Sequence, residues 1–216
     1  PFNSASTILV ARVENGTTDC YSTADVTLTV HTTPDLSATA GSICSSGGGI
    51  SLSTLVTDAS SAGGVLTAYA TPGAANNGGT GIGLTVNPAS TTTYYVRKTT
   101  STNPACFDVV AVIINVTTQP TAGTGSSTAF CEAASGLATV DLASLLTGED
   151  ANGTWTSTGA NAGGNFTAGS GQLDPNGLAP GSYVFTYTVS GSPCPDDQED
   201  VTVVINEVPD LQNTST

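Results

Sequence analysis

The 216-residue sequence has no methionine, one tryptophan, one histidine and three cations, Arg12, Arg97 and Lys98. Each shortage excludes something. Three scattered cations against 17 carboxylates, a net charge of −14, cannot supply the basic footprint of a nucleic-acid binder. An anionic membrane surface repels such a chain. Charged residues make up only 9%, so Glu/Lys-rich helices cannot be drawn from this alphabet. A lone histidine and the absence of any CxxC leave zinc without a ligand set. No apolar run approaches the roughly 20 residues needed to cross a bilayer, so direct membrane insertion is not expected.

What is present is Gly, Ser and Thr in abundance, with Thr and Val alternating between Gly and Pro breaks. That pattern suits short strands and tight turns. Disorder competes for an acidic, hydroxyl-rich chain. It loses because 38% of the residues are hydrophobic and they gather in alternating runs.

Internal periodicity organises the whole sequence. Residues 1–33, 88–118 and 181–207 each carry a strand pattern, a polar turn, a cysteine and a second alternating strand. Cys20 to Cys106 is 86 residues and Cys106 to Cys194 is 88. Pro34, Pro120 and Pro209 lie 86 and 89 apart, and Cys44 and Cys131 are separated by 87. With the matching runs ISLSTLVTD from Ile50 and VDLASLLTGED from Val140, four markers give one period. Residues 34–118 and 119–208 therefore read as complete repeats. Residues 1–33 read as the last strand pair of a truncated upstream repeat, and 209–216 as the start of the next. On this expectation the chain is a window on a longer array, with its signal sequence upstream.

Each repeat shows strand signals enough for a small sandwich of about seven strands. They fall near 36–40, 50–56, 65–70, 82–86, 92–98 and 107–116 in the first repeat. In the second they fall near 121–124, 138–143, 153–157, 164–167, 182–190 and 200–206. The pieces at 52–55 and 142–146 also read as single helical turns, the second capped by Asp141 and ended by Gly148. The fold class is all-β: tandem immunoglobulin-like β-sandwich domains with one disulfide per repeat.

The early cysteine of each repeat lies 62 or 63 residues before the late one, which pairs Cys44 with Cys106 and Cys131 with Cys194. Cys20 is then a late cysteine whose partner lies upstream. Free buried thiols are the competing reading. Disulfides place the chain in an oxidising, extracellular compartment. Each bridge would also shield the loop it closes from extension under load.

Candidate chemistry is sparse. Trp155, aligned with Leu66, is either an aromatic platform for sugar or a core residue, and its aliphatic counterpart favours the core. Tyr183, Phe185 and Tyr187 alternate on one strand, again a core pattern. Acidic residues are unequal: three in 34–118 and ten in 119–208. Asp196, Asp197, Glu199 and Asp200 cluster after Cys194 as weak Ca²⁺ candidates. No DxDxDG-type loop accompanies them, so a solvated acidic turn is the preferred reading. His31 has no nucleophile motif near it, and GxSxG, HExxH and P-loop patterns are all missing, so no enzyme is expected. Asn15, Asn115, Asn152, Asn165 and Asn213 head formal glycosylation sequons that a Thr-rich sequence produces by chance. Loops at 71–81 and 158–171 are long enough to form a binding site at a sandwich end.

The run from Cys131 through VDLASLLTGED, GTWTSTG and GSYVFTYTV to CPDDQEDVTVVIN resembles the tandem immunoglobulin-like repeats of giant cell-surface adhesins of the Bacteroidetes. Gliding-motility adhesins exported by type IX secretion are the best-known example. The resemblance implies export to the bacterial cell surface, a filamentous shape and a structural stalk role next to adjacent repeats. Polysaccharide or surface binding through the end loops is the alternative. It carries over no ligand-binding residues.

Overall fold

The computed structural model describes residues 7–17, 20–60, 62–102, 105–132, 136–160 and 162–209. It forms two compact units, one of residues 1–42 with 48–116 and one of residues 43–47 with 117–216. Of the expected start of a further repeat at 209–216, all but Pro209 lies outside the described residues, as does Asn213.

The first unit begins with a hairpin of β1 (Thr7–Glu14) and β2 (Tyr21–Leu28). It continues through β3 (Leu36–Ala38), β4 (Gly41–Cys44), β5 (Ile50–Ser51), β6 (Val56–Asp58) and β7 (Val65–Tyr69). A short helix, α1 (Pro72–Asn77), precedes β8 (Thr85–Val86), β9 (Thr92–Thr99) and β10 (Phe107–Thr117). The main sheet has the order β4-β10-β9-β7, and β3–β6 and β5–β8 form the opposing pairs. Leu52, Ala68, Val96, Val112 and Ile114 are fully buried between these layers.

The second unit repeats the plan with β11 (Thr124–Gly125), β12 (Ser127–Cys131), β13 (Val140–Asp141), β14 (Leu146–Thr147) and β15 (Thr154–Ser157). Then come β16 (Phe166–Thr167), β17 (Gln172–Leu173), β18 (Gly181–Val189) and β19 (Asp197–Asn206). Its sheets are β12-β19-β18-β15, β13-β17-β16 and β11-β14. The chain is thus all-β, and each unit is an immunoglobulin-like sandwich in which a short strand flanks the last long one, parallel to it in the second unit.

Period-2 alternation explains the core of the second unit. Tyr183, Phe185, Tyr187 and Val189 of β18 and Val201, Val203 and Ile205 of β19 all face inward. They meet Leu142, Leu173 and Trp155 from the other elements. Tyr183, near the start of β18, donates its hydroxyl proton to Ala179 O at 2.9 Å, a tyrosine corner. Tyr187 similarly donates to Asp150 O and accepts from Gly153 N, so its ring is buried with its polar end satisfied.

Two expectations are corrected here. The short strands β4 and β12 fall where the sequence reading placed none, because GSIC and STAFC are brief and lack a clear Val/Thr alternation. Trp155 also has a different counterpart. It lies opposite Tyr187, two residues beyond the level of Asp197, whereas Ala68 lies opposite Val96 at the same level above Asp108. Ala68, not Leu66, is therefore its equivalent. A Trp–Tyr pair with ring centroids 4.9 Å apart replaces an Ala–Val pair at the same place in the sandwich. The helical turns at Leu52–Thr54 and Leu142–Leu145 are 3-10 turns, the latter capped by Asp141 accepting from Ala143 N. Its end comes at Leu146, where β14 begins, ahead of Gly148.

Gly171 sits at φ +64°, and a Cβ there would lie 2.6 Å from Trp155 Nε1. Gly164, in the turn ahead of β16, has open space around it. Gly171→Ala is expected to destabilise the second unit by about 1–3 kcal/mol through strain and overpacking. Gly164→Ala should be near neutral by comparison. Chemical denaturation followed by Trp155 fluorescence separates the two.

Candidate functional site

The structure joins Cys44 to Cys194, with an S–S distance of 2.06 Å and Cα atoms 4.7 Å apart. Cys20, Cys106 and Cys131 are free. The expected Cys44–Cys106 and Cys131–Cys194 pairs are therefore replaced by one bridge from the early cysteine of one sequence repeat to the late cysteine of the next. Strand direction gives the reason. Ser45 N donates to Thr117 O at 2.8 Å, so Cys44 lies beside the last residue of β10. Cys106 lies just before the first residue, and the 11 residues of β10 separate the two ends by about 35 Å at ~3.3 Å per residue. A disulfide spans at most ~7 Å between Cα atoms. Cys131 is likewise opposite Asn206 at the end of β19, while Cys194 precedes its start. Residues 43–47 belong to the second unit, in which Cys194 is buried. Gln119 N donates to Ser45 Oγ at 3.0 Å and Ser46 Oγ donates to the Gln119 side-chain carbonyl, fixing the bridge's surroundings.

The carboxylates after Cys194 are each engaged by a protein donor. Asp197 accepts from Ala122 N at 2.8 Å and Glu199 from Gly125 N at 2.9 Å. Asp200 accepts from Thr186 Oγ1 and Asp196 from Gly191 N. Asp197 and Glu199 occupy one face of β19 and Asp200 the other, so the four do not converge on a common point. Among the described residues no cluster of three or more metal-ligating side chains occurs.

The first unit holds the equivalents of these bonds. Asp108 accepts from Leu36 N at 2.8 Å as Asp197 does from Ala122 N. Asp58 accepts from Asp35 N at 3.0 Å as Asp150 does from Thr121 N at 2.9 Å. The reciprocal bonds recur too, from Ala59 N to Asp35 O and from Asp150 N to Thr121 O. In both units two carboxylates clamp the leading segment of the repeat onto the sandwich. Sequence reading missed this pattern; the signal was acids recurring near the period, Asp108 and Asp197 at 89 residues and Asp58 and Asp150 at 92.

Asp58 also takes Lys98 Nζ at 2.6 Å, in a pair with both side chains largely covered. That ammonium, the Ser60 hydroxyl and the Asp35 amide together hold its carboxyl far below the usual range. Asp174 is lowered by the backbone and side-chain amides of Asn176, which ties the turn ahead of β18 by donating also to Leu137 O. Arg97 lies over the Phe107 ring at 3.7 Å and donates to Ala75 O at the end of α1. The expected loop at 71–81 is therefore a capped helix held in place by a cation, with Thr71 accepting from Ala74 N.

Two grooves remain. One of about 440 Å³ on the second unit is lined by Thr158, Thr186, Gln198, Glu199 and Asp200. The other, of about 260 Å³ on the first unit, places His31 among Thr32, Thr100, Ser101 and Thr102. Among the described residues that line the His31 groove there is no carboxylate. Trp155 is 7% exposed and packs on Tyr187 in the core, out of reach of any sugar.

No protein-family model matches the chain, and no curated protein matches it. Among solved structures it is similar to Sidekick-1 immunoglobulin domains 1–4, at 12% identity over 97% of this chain and 60% of that one, with a TM-score of 0.44. It is similar to protocadherin gamma C5 EC1-3 at 12% identity, over 93% and 77% of the two chains, with a TM-score of 0.37. Mouse cadherin-23 EC22-24 matches at 15% identity over 90% and 72%, with a TM-score of 0.33. The sandwich assignment rests on the strand order and core of this chain.

Two outcomes follow from this geometry. Because the folded value of Asp58 is lowered, its contribution is complete above the unfolded carboxyl value of ~3.9 and is lost as pH falls below it. Asp58→Asn should lower the melting temperature at neutral pH, and the gap to the parent should close between about pH 5 and about pH 2. Separately, the bridge spans 150 residues of sequence, worth up to about 5 kcal/mol on the chain-entropy account. Reductant should lower the melting temperature markedly, and Cys44→Ser should show the same loss with no further response to reductant.

Proposed function

We propose that the chain is a non-catalytic, structural segment of a long secreted cell-surface adhesin or filament, carrying load and presenting adhesive parts that lie elsewhere. Residues 34–118 and 119–208 are its complete repeats, 1–33 the closing strand pair of a preceding one and 209–216 the opening of another. The observation that carries this reading is the recurrence of the same carboxylate clamps, one repeat apart, in two sandwiches. Acids that would otherwise be free to bind or catalyse are spent on holding backbone amides. The β1–β2 hairpin fits the same plan. Val10, Val13, Tyr21 and Val26 are exposed on it, whereas alternate residues of the pair β18–β19 are covered by the rest of a sandwich.

On this reading the partners are adjoining repeats of the same polypeptide, the site of action is extracellular and the fold requires no metal. The resemblance in sequence to Bacteroidetes adhesin repeats extends the proposal to a bacterial cell surface, with type IX export and a gliding-motility type of adhesin as its most specific form.

The second reading is a module binding polysaccharide or another surface component. The groove at Thr158, Thr186 and Gln198 favours it, since hydroxyls and an amide offer both donors and acceptors to sugar hydroxyls. The groove has no aromatic lining residue for stacking. A labelled sample of the whole chain should give no saturable signal on a glycan array. Saturable binding to one glycan class, lost in Gln198→Ala with Thr158→Ala, would transfer the function to the groove.

A further inference from the structure

Of the thiols left reduced, Cys131 occupies the place of Cys44, and Cys106 lies in the turn that corresponds to that of Cys194. Cys131 ends β12 as Cys44 ends β4. Glu132 N donates to Asn206 O at 2.9 Å, matching the 2.8 Å bond from Ser45 N to Thr117 O. Cys106 immediately precedes β10, and Cys194 sits in the corresponding turn ahead of β19. Cys131 is exposed and Cys106 is partly so, while Cys44 and Cys194 are buried at their bridge.

Resting on the tandem-repeat reading above, we infer that Cys131 and Cys106 are the unjoined halves of further bridges of the Cys44–Cys194 kind. Cys131 is the site for the late cysteine of a following repeat, and Cys106 the site for the early cysteine of a preceding one. Every repeat then hands its early thiol to its successor and receives one at its late thiol, giving a continuous covalent ladder. The bonded Cys44 is what assigns the partner: the same position, on the same strand, is already oxidised once in this chain. Pairing inside a repeat is excluded by β10 and β19, whose 11 and 10 residues hold the early and late positions at opposite ends.

Each new bridge releases two thiol protons and two electrons. A disulfide oxidant, such as an oxidised dithiol protein or glutathione disulfide, accepts the electrons and leaves as two thiols. Attack by the thiolate of exposed Cys131 on such a disulfide gives the mixed disulfide, which the incoming late cysteine resolves.

The test extends the whole chain. Residues 1–208 are followed directly by a second copy of residues 34–208, which sets a late cysteine after Cys131 at the spacing that separates Cys44 from Cys194. The protein is oxidised in glutathione redox buffer, alkylated with iodoacetamide and mapped by mass spectrometry after acid-specific proteolysis. The expected map links Cys131 of the first copy to Cys106 of the second, beside a Cys44–Cys194 bridge in each. Cys131→Ser in the first copy should convert the second copy's Cys106 from bridged to alkylated and leave both Cys44–Cys194 bridges intact. A first-copy Cys131 that is alkylated, or linked to its own Cys194, in a protein whose second copy has formed its Cys44–Cys194 bridge would overturn the ladder and leave the repeat reading standing. A second copy that forms neither bridge nor β-rich dichroism would overturn both.

Discussion

The direction in which the short strand before each early cysteine runs sets the rest of the molecule's covalent chemistry. β12 lies parallel to β19, in register from Ser127 opposite Thr202 to Cys131 opposite Asn206. Parallel pairing forces both strands to finish at the same end of the sheet. The early cysteine is therefore delivered where the repeat finishes, and the late cysteine, in the turn ahead of the last strand, is stranded at the far end. An antiparallel strand at that place would have brought the two thiols of one repeat toward each other. The half-turn of strand direction separates a disulfide sealed within a domain from one that runs along the sequence from repeat to repeat.

The long strands were plain in the sequence. Residues 181–189 and 197–206 alternate so regularly that their aromatic and aliphatic face could only be core, and Trp155 followed them inward. The period was equally plain, since cysteines and prolines repeat at one interval. Strands of four and five residues were not. Ser127–Cys131 has too few residues for a pattern to outweigh its Ser and Ala, and its place is settled by backbone bonding to β19, a contact with a segment some 75 positions away. Missing that strand is what led equal intervals to be read as pairing within a repeat. The spacing was right and its topology was hidden.

The acids were only half legible for a related reason. Asp196 to Asp200 reads as a solvated acidic turn because charge is visible in sequence and hydrogen-bond partners are not. Their partners, Ala122 N, Gly125 N and Thr186 Oγ1, come from residues that carry no sequence signal of their own. A backbone N–H is a donor in almost every residue type, so the clamp leaves its mark in sequence chiefly at the carboxylate end of the bond. The same economy explains how a chain with 9% charged residues keeps its leading segments fastened: among the described residues eight acids accept from backbone amides, and four of them hold the leading segments.

The three cations have a consequence of another kind. Proteases that cut after Lys or Arg have only Arg12, Arg97 and Lys98 to attack. Arg97 and Lys98 sit in the middle of a sheet, on β9 between β10 and β7, with the backbone bonded on both sides. A scissile segment must be drawn out as a free extended strand before it fits a protease cleft, and those two bonds cannot be without undoing the sheet. Scarcity of basic residues, which first appeared only to rule out partners, leaves residues 34–208 with almost no foothold for trypsin-like digestion.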